Sequence, residues 1–103
     1  MTQPHDTDSF ADFDAFAAAA RAAGFDEVLE RTWAPHLVLD THTHPFAVRA
    51  RVVRGEMWLI HAGAERHLVA GDDFELPARA PHAERYGPEG AAFWVARRHV
   101  PVT

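Results

Sequence analysis

The sequence predicts an all-β barrel or sandwich preceded by a single helix. Three observations carry that expectation. Helical periodicity is confined to the segment before Gly24, β-branched and aromatic residues then recur in runs of five to nine, and glycine or proline turn signals separate those runs at regular spacing. A chain of 103 residues suits one folding unit with one core.

Residues 1–8 are polar and unpatterned, and we expect a flexible tail there. Residues 9–24 form the expected helix. Ser9 is placed to cap it, Phe10, Phe13, Phe16, Ala17 and Ala20 recur at three and four, and Gly24 with Phe25 supplies the stop. Asp12 and Asp14 favour the positive end of its dipole. Residues 25–103 are expected to form the barrel. Its strands are predicted near Glu27 to Trp33, His36 to Thr41, Phe46 to Arg54, Met57 to Ala62, Arg66 to Val69, Asp73 to Leu76, His82 to Tyr86 and Ala91 to His99. Turns are predicted at Gly55-Glu56, Gly63, Gly71-Asp72 and Gly87-Pro88, where a residue free to take positive φ or a proline with fixed φ is available.

Composition narrows the chemistry. Cysteine is absent, which removes disulfides, thiolate ligands and cysteine nucleophiles, so a metal site must use nitrogen and oxygen. Lysine is absent too, which removes Schiff-base catalysis, and a formal charge of -5 disfavours nucleic-acid binding. No apolar run, Ala15 to Ala20 included, is long enough to cross a membrane, and Met1 to Asp8 lack the basic start of a signal peptide. We therefore expect no membrane partner and a cytoplasmic location. Ser9 is the only serine, and neither a phosphate-binding glycine loop nor a GxSxG elbow is present.

Histidine is the conspicuous residue type, with eight in the chain. On an extended segment His42 and His44 leave the same face, close enough to share an ion, although random order alone would give roughly 0.5 such pairs. The context lies downstream. Gly71, Pro77 and then His82, after Pro81 at the start of a strand, complete a pattern. HTHPFAVRARVVRG, from His42 to Gly55, and GDDFELPARAPH, from Gly71 to His82, resemble the two motifs of the cupin superfamily. The first of these is glycine, two histidines one residue apart, a glutamate and a closing glycine; the second is glycine, proline, glycine and histidine.

The likeness covers residues 27 to 99 and implies a small cupin-type barrel, the double-stranded β-helix or jelly roll. It also implies that His42, His44 and His82 match three of the family's four metal ligands. This sequence departs from the pattern at the glutamate, where counting from His44 reaches Val48 or Arg49, at Arg79 in place of a glycine, and around His36 to Val38 in place of the opening glycine.

Three neutral imidazoles leave a divalent ion near +2, which favours an anionic fourth ligand or substrate. Glu84, two residues beyond His82 on the same strand face, is the candidate catalytic residue or fourth ligand; a solvated carboxylate beside Arg85 is the commoner environment for a glutamate. Of the other histidines, His36 shares the strand parity of His42, while His61, His67 and His99 read as strand-surface groups and His5 lies in the tail. Arg49 either clamps an anion inside the barrel or belongs to a solvent face with Arg51 and Arg54, and Trp33, Trp58 and Trp94 suit core packing, with room for one aromatic wall at the barrel mouth.

The functional expectation is a metal-binding small cupin, a metal-dependent enzyme acting on a small anionic organic substrate. The ion would be Zn, Fe(II), Ni or Mn. The alternative is a non-catalytic ligand-binding or sensory module that works through a partner. A homodimer is expected, since a minimal barrel has edge strands to protect.

Overall fold

The computed structural model describes residues 12–99. The expected tail, Ser9 and Phe10 lie outside the described residues. Helix α1 spans Phe13–Ala22 with Asp12 as its N-cap, the Asp12 side chain accepting from the Ala15 N–H at 2.8 Å. Gly24, at φ 99°, ends it as the sequence predicts, and the Phe25 N–H donates back to the Ala20 carbonyl at 3.0 Å.

Six strands follow: β1 Glu27–Trp33, β2 Val38–His42, β3 Phe46–His61, β4 Ala64–Val69, β5 Asp73–Leu76 and β6 His82–His99. Every pairing is antiparallel, and β6 contacts β1, β2 and β3. Two of the expected turns are absent. At Gly55-Glu56 and at Gly87-Pro88 the chain continues as strand, so four short predicted strands are two long ones, β3 and β6.

The physical reason is the ladder between them. It runs from Phe46↔His99 to His61↔His82 and absorbs the bend through register shifts between Val52 and Arg54 and between Gly55 and Met57. Beyond those shifts the partners change. The first part of β3 and the last part of β6 pair with β5 and β1, while the far halves pair with β4 and β2. Each long strand thus passes from one half of a jelly roll to the other, turning at a bulged corner.

Glycine is required at that corner. Gly55 sits at φ 77°, and a Cβ there would lie 2.1 Å from the Gly90 carbonyl oxygen. The genuine hairpin at Ala62-Gly63, with both residues at positive φ, joins β3 to β4 as expected.

Alternation along the strands sorts the side chains. Val48, Ala50, Val52, Met57, Leu59, Phe93 and Val95 belong to the main core. On the opposite face of the sheet, Ala96 packs with Phe16, Ala20 and Phe25 of the helical segment, with Val28 and Trp94 at the edge of that cluster. Trp94 meets the Phe13 and Phe16 rings at 6.0 and 5.8 Å between centroids, so the helix covers an outer sheet face that would otherwise be wet and apolar.

Gly55→Ala and Gly63→Ala separate backbone strain from steric exclusion. Both positions need positive φ, but Gly63 has open space around it. Urea unfolding should show Gly63→Ala costing about 1 kcal/mol and Gly55→Ala about 3 kcal/mol or more. Equal losses would contradict the corner assignment.

Candidate metal centre

Strand β2 ends at His42, which pairs directly with His82 at the start of β6. His44 follows in the loop before β3, where its carbonyl accepts from the Arg79 N–H at 2.7 Å. Arg79 makes that bond at φ 65°, which explains why the motif favours glycine at this position. The three imidazoles come together as the sequence predicts. Ring centroids are 4.3 Å apart for His42 and His82, and 5.0 Å for each pair with His44. One ligand nitrogen from each lies within 4.8 Å of the others.

Tautomers are set by the backbone. His42 Nδ1–H donates to the Asp40 carbonyl at 2.7 Å and His82 Nδ1–H to the Ala80 carbonyl at 2.9 Å, each two residues back along its own chain. A carbonyl oxygen accepts only, so the proton resides on Nδ1 and Nε2 is left with its lone pair. Both Nε2 atoms face one oxygen: Glu84 Oε2 is 3.2 Å from His82 and 3.6 Å from His42. Electron pairs converging in this way repel unless a cation, a proton or a metal ion, lies among them. Nitrogen and oxygen donors in this number suit a borderline divalent metal, and tethered Nδ1 atoms are the usual support of metal-binding histidines.

Glu84 is not the solvated carboxylate that its residue type favours. It is 8% exposed, and its Oε1 accepts the Tyr86 hydroxyl. Burial first, and then the charge and hydrogen bond of Glu84, push the Tyr86 hydroxyl far above its ordinary value, so it stays protonated and donating. Oε1 is thereby occupied and Oε2 is the oxygen presented to the histidines.

The two candidates for the missing glutamate separate by strand parity. Val48 is buried and lines the cavity, whereas Arg49 points away and pairs with Glu75 at 3.3 Å. Arg49 is therefore no internal anion clamp. The carboxylate of the cavity comes from Glu84, on the strand that carries His82. His36 is also excluded from the cavity: it sits exposed in the turn before β2, at φ 61°. His67 and His99 are surface groups paired with Glu56 and Glu27, and His61 is partly buried at the end of β3. His5 lies outside the described residues.

The cavity has a volume of about 140 Å3 and is walled largely by apolar side chains, among them Phe46, Phe74 and Phe93. Two of its residues escaped the sequence reading. Arg31 and Arg97 sit on the inward faces of β1 and β6, in step with Leu29 and Val95, and on β1 that parity was the available signal. Trp33 is the aromatic wall, stacked on Tyr86 at 5.8 Å, while Trp58 lies elsewhere, against His67 and Arg85.

Neither a protein-family profile nor a curated protein sequence matches the chain. Solved structures do. A crystal structure of the DMSP lyases RdDddP and RnDddQII is 27% identical over 71% of this chain and 38% of that one, with a TM-score of 0.65. An RmlC-like cupin from Shewanella frigidimarina is 21% identical over 75% of this chain and 68% of its own, also at 0.65. The Cupin_2 domain of an XRE family transcriptional regulator from Enterobacter cloacae is 21% identical over 80% and 87%, at 0.62. The chain thus spans well under half of the lyase chain.

His44 gives a pH signature. Burial, followed by the charges of His82 and His42, holds its pKa below the ordinary value of 6.5. The folded state then binds this proton less readily than the unfolded chain, so stability from His44 is present above pH 6.5 and is lost as pH falls from there towards the folded value. NMR titration of the metal-free protein should give a His44 midpoint below 6.5, and His44→Gln should flatten the rise of stability with pH in that window. A midpoint at or above 6.5 would contradict the reading of the environment.

Proposed function

Starting from a chain that has the cupin fold, we propose that it binds one divalent metal ion through His42, His44 and His82 and is a metal-dependent enzyme acting on a small anionic organic substrate. The observation that carries this reading is the pair of Nδ1 tethers, which leave His42 and His82 with Nε2 lone pairs facing Glu84 Oε2. Zn, Fe(II), Ni and Mn all suit such a donor set. A bound ion supplies positive charge that polarises an oxygen of the ligand.

The remaining work falls to the chain. Glu84 Oε2 holds or accepts a proton at the cavity wall, and the Tyr86 hydroxyl fixes the carboxyl by occupying Oε1. Phe46, Phe74 and Phe93 keep bulk water from the reacting end, which strengthens every charge interaction there. The cavity volume suits a small molecule rather than a polymer.

Resemblance to the DMSP lyases supports an enzymatic reading, as resemblance to a regulator's domain supports ligand capture without turnover. Glu84 favours the first, because a buried carboxylate whose second oxygen faces two imidazoles is equipment for proton transfer that capture alone does not need. A homodimer, a cytoplasmic location and the absence of a nucleic-acid partner complete the proposal. No helix among the described residues is long and apolar enough to cross a membrane.

Elemental analysis and zinc titration of three variants test these assignments. His42→Ala and His82→Ala should lose bound metal, with affinity reduced by about a hundredfold or more. Glu84→Gln should keep its metal within about tenfold of the parent affinity, as expected for a residue that moves a proton rather than holding the ion. Full metal content in His82→Ala would remove the site.

A further inference from the structure

The cavity wall is rich in donors and poor in acceptors. Its charged residues, histidines aside, are two guanidiniums, Arg31 and Arg97, against the single carboxylate of Glu84, which Tyr86 and the histidines already engage. The balance is positive inside a chain whose formal charge is -5.

Neither arginine is neutralised in the usual way. Arg31 has no carboxylate partner among the described residues and rests over the Trp33 ring, 4.6 Å from its centroid. Arg97 lies over the Phe46 ring at 4.8 Å, and its one ion pair among the described residues is a loose contact of 3.6 Å to Glu27, a carboxylate it shares with His99 at 3.2 Å. Its Nε is buried and has no acceptor, and the same holds for the indole nitrogen of Trp33 in the same wall. Arg31, held against an aromatic ring alone, and Arg97, whose distant counter-charge is shared with His99, lose hydration without full compensation, and an anionic ligand would supply it.

We infer that Arg31 and Arg97 form an anion-recognition subsite that holds the carboxylate of a small organic acid, with the rest of the molecule facing the histidines. This rests on the reading of the cavity as a ligand site and adds the group by which the ligand is recognised. A guanidinium fork matches the two oxygens of a carboxylate, whereas a neutral amide offers one weaker acceptor and no charge. Carboxylate on the arginines leaves the metal positions of His42, His44 and His82 to a different part of the ligand.

The test uses the full chain, loaded with zinc and again after chelation, with propionate as probe and propionamide as its uncharged counterpart. Side-chain N–H signals of Arg31, Arg97 and Trp33 are followed by NMR. Propionate should move these signals saturably in both samples, with propionamide at least about tenfold weaker. Arg31→Met and Arg97→Met should each weaken propionate by about tenfold, and His82→Ala should leave it within about threefold.

Equal responses to the two probes, or propionate binding that needs zinc or His82, would overturn the inference. The comparison of probes on the parent protein decides the matter if an arginine variant does not fold. Loss of zinc binding with propionate binding intact would instead count against the metal reading and leave this subsite standing.

Discussion

The short antiparallel contact between β2 and β6 is the constraint on which the site depends. It sets His42 opposite His82, and each imidazole then ties its Nδ1 to a carbonyl two residues earlier in its own chain. The tie fixes both ring orientation and tautomer without help from a distant side chain. His44 is brought in by different means, a backbone bond from Arg79 in the loop that precedes β6. The paired ends of β2 and β6, with the loop that follows β2, thus supply all three rings.

The long strands make that meeting possible. Because β3 and β6 run through both halves of the jelly roll, one ladder links Phe46↔His99, beside His44, to His61↔His82 at its other end. Any slip in that ladder would turn the inward face outward and separate Glu84 from the cavity. The approach of Gly55 to the Gly90 carbonyl lets the ladder bend where its register shifts.

Much of this was legible in the sequence. The bounds of β1 and β5 agree residue for residue, since alternation and flanking turns define both ends. The three histidines were readable because their motif spacing carries a resemblance. The corners were not: a glycine that bends a continuous strand and a glycine that closes a hairpin have the same local chemistry, and only the cross-strand partner distinguishes Gly55 from Gly63. Arg97 was hidden for a related reason. In β6 the run from Ala91 to Ala96 is apolar on both faces, because the helix covers the outer one through Trp94 and Ala96, so alternation gives no sign of which face is inward.

Glu84 supplies the carboxylate of the cavity from β6 rather than from β3. With Val48 at the inward position of β3, the cavity there is apolar, and the acidic group stands on the strand that bears His82, braced by Tyr86. Negative charge is therefore kept next to the histidines, while positive charge is carried by Arg31 and Arg97. On the proposed function, that asymmetry would give an incoming anion a defined orientation. X-ray absorption at the zinc edge of the zinc-loaded protein tests the central claim most directly. Three imidazole nitrogens at about 2.0–2.1 Å with the remaining scatterers oxygen is the outcome this account requires, and a shell with fewer than three imidazoles would contradict it.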